Sequence, residues 1–143
     1  MKPNFDKYIG IPFEHKGRGL SGCDCYGLVR LVFENERKIG LPDFLDIDYS
    51  CGLEKNETYI QDEYSQFLSN GWVSIDKPYT LWDCFIFYSN MEKGIADHIG
   101  ICIDGDKFLH ASCAVGSVLV SRLDQYWISK IYDVARWVGE LDG

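Results

Sequence analysis

Two cysteines stand two positions apart in the stretch "SGCDCYGLV", and the chain offers them three imidazoles, His15, His98 and His110. Thiols near imidazoles can form a metal clamp, half of a disulfide, a redox switch, or a nucleophile with its base. Placement ranks these chemistries. Cys23 and Cys25 are separated by one residue, tighter than the spacing of about two to four usual between the cysteines of a zinc site. Cys25 falls where a turn-like segment gives way to a helical pattern, in a first turn whose unpaired N–H groups and dipole favour an anion. That lowers a thiol pKa and suits a nucleophile. Leu28 and Val29, three and four residues on, place the Cys25 side chain on the packed side of that helix.

A thiolate nucleophile needs a base. His15 lies in a loop that the sequence does not place. His98 opens "HIGICI" and His110 lies inside "KFLHAS", two strand-like segments joined through "DGD". In an antiparallel pair a two-residue turn would send the two histidines to opposite faces, because side chains alternate. A three-residue loop of Asp104, Gly105 and Asp106 pairs Ile103 with Lys107 and Gly100 with His110. His98 and His110 then share a face as diagonal neighbours, with Gly105 or Asp106 supplying a left-handed residue. That face carries Phe108, His110, Ser112, His98, Gly100 and Cys102. The other carries Leu109, Ala111, Ile99, Ile101 and Ile103, an apolar set for a core, which leaves the histidine face to meet the Cys25 helix.

The elements around these residues follow from periodicity. A helix or turn near Asn4 to Tyr8 precedes a glycine-rich loop, "GIPFEHKGRGLSG". From Cys25, the residues Leu28, Leu31, Val32 and Ile39 form one helical face, ended by Gly40 and Pro42. A second helix is expected from about Glu57 to Ser69, capped by Asn56 and stopped at Asn70-Gly71. "WVSI", "CFIFY", "HIGICI", "KFLHAS", "SVLVSR" and "IYDVARW" then read as short strands. Helices followed by strands make an α+β fold with a mainly antiparallel sheet, a single domain over residues 1–143.

Composition bounds the rest. With 46% apolar and 15% aromatic residues the chain is folded rather than low-complexity. A net charge of −8, without a basic stripe, argues against nucleic acid and against an anionic membrane surface. The N-terminal stretch has neither a signal-peptide pattern nor an apolar run long enough to span a bilayer, so the expectation is that the protein stays in the cytoplasm where it is made, with no membrane insertion. The six cysteines are then expected as reduced thiols, and Cys51, Cys84, Cys102 and Cys113 as packing residues.

Read in order, "GCDCYGLVRLVF", "DCFIFY" and "DHIGICIDGDKFLHAS" resemble the NlpC/p60-type cell-wall cysteine peptidases, which have a papain-like fold. "DCYGLVRLVF", "IGLPDF" and "GSVLVSRLDQYWISKIYDVARW" resemble the phage tail branch. The resemblance spans nearly the whole chain. It implies Cys25 as nucleophile, His98 as general base and His110 as the residue orienting that base. It further implies hydrolysis of the amide between D-γ-glutamyl and a diamino acid in peptidoglycan stem peptides, with no cofactor and no metal. Tail-tip proteins would be partners and the virion tail the route to the wall. Asp24 is expected either to meet a substrate amine or to cap the helix. Two positions depart from the family: Phe13 stands where many members have a supporting Tyr, and Tyr26 follows the nucleophile where Ser is frequent. Both, with Asp24, are expected near the substrate. Other readings are a non-enzymatic tail-tip assembly module on the same shell, an acyltransferase or amidase, and a Cys23, Cys25, His98, His110 zinc site. Cys23 itself is expected to pack rather than react, and Asp83 to be structural.

Overall fold

The computed structural model describes residues 3–42, 71–90 and 95–139. The helix expected from Glu57 to Ser69, and Cys51, lie outside them. Near the start, Asp6–Tyr8 forms a single 3₁₀ turn. The loop read from its glycines holds a small hairpin, β1 (Arg18–Gly19) against β2 (Gly22–Cys23). Two-residue strands are too short for alternation to register, which is why periodicity misses them.

Helix α1 runs Cys25–Val32, with Asp24 as its N-cap. Its last turn opens into a π-type segment, Phe33–Arg37. The chain leaves it through Lys38 in the left-handed conformation (φ 58°), two residues before the glycine expected to stop it. The N–H groups of Lys38 and Ile39 close back onto the Glu34 and Phe33 carbonyls, satisfying the terminal acceptors without glycine.

Six strands then form one sheet: β3 (Trp72–Ser74), β4 (Cys84–Asn90), β5 (Ile95–Asp104), β6 (Lys107–Ser112), β7 (Ser117–Arg122) and β8 (Ile131–Trp137). Their order is β3-β8-β4-β5-β6-β7, with every neighbouring pair antiparallel. All six segments read as strands are strands. A one-turn helix, Gln125–Ile128, capped by Asp124, interrupts the last connection and was not expected. Residues 10–13 lie along β7, where Val118 donates to Ile11 and accepts from Gly10, and Phe13 donates to Gly116.

The β5–β6 register is the expected one at its centre, with Ile101 opposite Leu109 and Cys102 opposite Phe108. The tip differs. Asp104 pairs with Lys107 across a two-residue turn, and a register shift after Cys102 supplies the extra residue. A bulge in the strand thus does what a longer loop was expected to do, and neither Gly105 nor Asp106 takes a positive φ.

The two faces of the sheet bury different cores. Leu28, Val29, Leu31 and Val32 of α1 join Ile86, Ile99, Ile101, Leu109 and Ala111. Phe85, Phe87, Cys102, Phe108 and Val134 pack on the opposite face with Trp127. The expectation that α1 meets the histidine-bearing face is therefore corrected: the helix body covers the isoleucine face, because four apolar side chains per two turns need an apolar partner.

Candidate active site

The start of α1 is fixed by its cap. Asp24, 3% exposed, accepts from the Gly27 N–H at 2.8 Å and from Arg18 Nη1 at 2.8 Å through Oδ1, and from the Lys16 N–H at 2.9 Å through Oδ2. Its carboxylate is thus a helix cap and the partner of Arg18. Gly27 is required here, since a Cβ would stand 2.0 Å from the Gly17 carbonyl oxygen and 3.2 Å from Arg18 Nη1. The loop crosses directly over the first turn. Cys25, the first helical residue, is partly buried against the α1 core.

Neighbouring positions have clear roles. Cys23 is fully buried, and its thiol is pushed up to about 12 by desolvation and by the Asp24 charge, which leaves it an inert packing residue. Tyr26 is 4% exposed, donates its hydroxyl proton to the Pro42 carbonyl at 2.6 Å, and lies under the Arg18 guanidinium. Phe13 is partly buried against the core, and its backbone bridges Cys23. Asp83, 1% exposed, accepts two bonds from Arg136, at 2.8 and 2.9 Å, and one from the Thr80 N–H, the structural role expected of it.

Cys23 also donates its N–H to the Pro12 carbonyl, and Pro12 bridges Ser117, the partner of Ser112 in the ladder. This ties the segment leading into α1 to the end of the sheet where His98 and His110 lie. On β5 and β6 the histidines share a face and meet: His98 Nε2 and His110 Nδ1 are 2.8 Å apart. Gly100 makes this possible. A Cβ at that position would come within 2.8 Å of Phe108 Cδ2 and 3.3 Å of His110 Cβ.

The other ring nitrogen of His110, Nε2, lies 2.8 Å from Ser121 Oγ on β7. Aromatic carbon surrounds the pair. Phe87 stacks on His98 at 5.9 Å, Phe108 lies 4.5 Å from His110, and Trp127 contacts both rings, at 6.1 and 5.2 Å. Burial disfavours the imidazolium. His98 is pulled down to about 3 by desolvation, with the His110 and Lys130 charges adding, and His110 to about 4 by desolvation alone. Both are neutral at neutral pH, so each ring carries one N–H and one lone pair.

Neither Ser121 nor Trp127 was expected at the site from the sequence. Alternation in "SVLVSR" was the available signal for Ser121, since it shares a face with Leu119, opposite His110 in the register. Trp127 had none, because a four-residue helix spans barely one turn of about 3.6 residues and no periodicity can repeat within it. Among the described residues, no three His, Cys, Asp or Glu lie where they could hold a metal ion.

The chain, with its helix-then-sheet order and a cysteine at the helix start, is similar to several solved structures. It matches an NlpC/p60 family protein from Bacillus cereus at a TM-score of 0.62 with 21% identity, over 92% of this chain and 37% of that one. The NlpC/p60 domain of the peptidoglycan hydrolase SagA matches at 0.59 with 21% identity, over 91% of this chain and 90% of that one. The chain has the NlpC/p60 fold. No protein-family model matches it. Curated proteins similar to this NlpC/p60-fold chain include a γ-DL-glutamyl hydrolase of Bacillus subtilis, 27% identical over 92% of the chain and 27% of that protein. A probable endopeptidase of Haemophilus influenzae is 25% identical over 91% of the chain and 68% of that protein. The murein DD-endopeptidase MepS/murein LD-carboxypeptidase of Escherichia coli K12 is 26% identical over 90% of the chain and 56% of that protein. The chain therefore spans about a quarter of the Bacillus subtilis relative and little more than half of the Escherichia coli one.

Proposed function

We propose that the protein is a cysteine endopeptidase hydrolysing peptidoglycan stem peptides at the amide between D-γ-glutamyl and a diamino acid. The observation that carries this reading is the hydrogen-bonded His98–His110 pair, at the end of the sheet tied to the segment that leads into the Cys25 turn. The names of the relatives, a γ-DL-glutamyl hydrolase and a murein DD-endopeptidase/LD-carboxypeptidase, support hydrolysis of such peptides in general, and the particular bond rests on the resemblance.

In this mechanism His98, neutral and bonded through Nε2, takes the Cys25 thiol proton at Nδ1 as sulfur attacks the amide carbonyl. N–H groups of the first turn of α1 stabilise the oxyanion. His98 then returns the proton to the leaving amine as the C–N bond breaks. Water, deprotonated by the same nitrogen, hydrolyses the thioester and releases the thiol. His110 is the positioning residue for His98.

The test is digestion of purified sacculi and of isolated stem peptides, with products identified by mass spectrometry. Wild type should release fragments cut after D-γ-glutamyl, and Cys25→Ala should release none. Cutting by that variant overturns the reading. Delivery by a phage or prophage tail belongs to the same proposal and rests on the resemblance of "DCYGLVRLVF" and the C-terminal segment to tail-associated relatives. Absence of the protein from purified particles of the encoding phage would remove that part. Stable association with tail proteins by a folded wild type that cuts no wall fragment would instead establish the assembly-module reading.

A further inference from the structure

The His98–His110 pair does not end at His110. Its Nδ1 faces His98 and its Nε2 faces Ser121 Oγ, both at 2.8 Å, so both ring nitrogens are engaged. The ring is 2% exposed and otherwise walled by Phe108 and Trp127. A chain of two neutral imidazoles has one proton per ring, and this forces a direction on it.

In one direction His98 Nε2–H donates to His110 Nδ1 and His110 Nε2–H donates to Ser121 Oγ. His98 Nδ1 then keeps its lone pair and can accept a proton. In the other, Ser121 donates to His110 Nε2 and His110 Nδ1–H donates to His98 Nε2. His98 then carries its proton on Nδ1, where it has no base to offer. The tautomer of the base is thus decided two residues away, at the far end of the chain of bonds.

We propose that Ser121 is a positioning residue for the peptidase reading above. As hydrogen-bond acceptor from His110 Nε2–H, it holds both histidines in the Nε2–H tautomer and leaves His98 Nδ1 free to act as base. A serine suits this terminus because a half-buried hydroxyl can accept from the ring and turn its own proton toward solvent. A thiol donating to His98 Nδ1 polarises the chain in the same direction, each bond strengthening the next. Trp127 packs against both rings, at 6.1 Å from His98 and 5.2 Å from His110, and limits their freedom to reorient.

The experiment is long-range 15N–1H correlation of the imidazoles at neutral pH, assigned with single histidine variants, in wild type, Ser121→Ala and Ser121→Thr. Wild type should show Nε2–H on both His98 and His110. Ser121→Ala should lose that pattern for a mixed or reversed one and lower kcat on stem peptides by about tenfold with KM unchanged, a part of the usual contribution of a general base. Ser121→Thr, which keeps the hydroxyl, should restore both. A proton on His98 Nδ1 in wild type overturns the proposal, and so does an Ala variant that keeps the wild-type tautomers. The spectra need no turnover, so the wild-type spectrum can overturn the proposal even if the Ala variant fails to fold, and the Thr variant then tests the role of the hydroxyl. Failure of the peptidase reading appears separately, as cutting by Cys25→Ala.

Discussion

Burying two neutral imidazoles makes the fold sensitive to acid, and His110 allows the effect to be sized. The unfolded chain protonates this side chain near 6.5 and the folded protein only near 4. Between those values the unfolded state binds more protons, so acid favours unfolding. The stability contributed by a neutral His110 is fully present above the unfolded value and is lost as pH falls toward the folded one. At 1.36 kcal/mol per pH unit the interval corresponds to about 3 kcal/mol. That is a large share of the roughly 5–15 kcal/mol typical of a domain. His110→Gln keeps hydrogen-bonding capacity and removes the titration, so it isolates the effect from the carboxylates. Urea unfolding of both proteins at pH about 7, 5.5 and 4 gives free energies by linear extrapolation. Wild type should lose about 3 kcal/mol more than the variant across that range. A difference under about 1 kcal/mol would show that the folded protein admits the proton without strain, and the desolvation argument would fail.

Other substitutions probe the scaffold. Gly100→Ala should cost about 1–3 kcal/mol by overpacking Phe108 and His110, with wall-peptide hydrolysis falling further than the lost folded fraction explains. Arg136→Ala leaves the buried Asp83 carboxylate with only its Thr80 bonds, and a loss of about 3 kcal/mol in chemical denaturation is expected. Asp24→Asn should be much milder than Asp24→Ala in thermal melts, because an amide oxygen still caps Gly27; equal losses would mean that the ion pair with Arg18, rather than the cap, holds the turn.

Much of this architecture was legible because its signals are local. The sheet segments alternate or run apolar between Gly, Asp and Asn, and the shared face of His98 and His110 follows from counting residues through one hairpin. The bulge after Cys102 was not legible, since loop and bulge add the same residue to the register and differ only in tertiary packing. Which face α1 covers was misread for a related reason: alternation sorts side chains into two sets but does not say which set a helix takes. The aromatic face was underestimated. Phe85, Phe87, Phe108 and Trp127 form a core of their own across β4, β6 and the one-turn helix, on the face that α1 does not cover. For Asp24 the resemblance left a substrate contact and a helix cap both open, and the structure shows the cap; Tyr26 was expected near the substrate and is buried. The bonds that occupy them, to Arg18, Lys16 and Pro42, come from backbone and side chains brought together by the β1–β2 hairpin.

Residues 10–13 lie against β7, the outermost strand on the histidine side of the sheet. An unpaired sheet edge is a template for another chain. Here the Ser117 end of that edge is occupied by the segment that leads into Cys25, while its other end carries the charged, exposed Arg122. The same short stretch therefore serves as a guard against intermolecular strand addition and as the tether of the Cys25 turn. Loosening it would cost solubility and alignment together, so aggregation and loss of hydrolysis should rise in step in any variant that frees it.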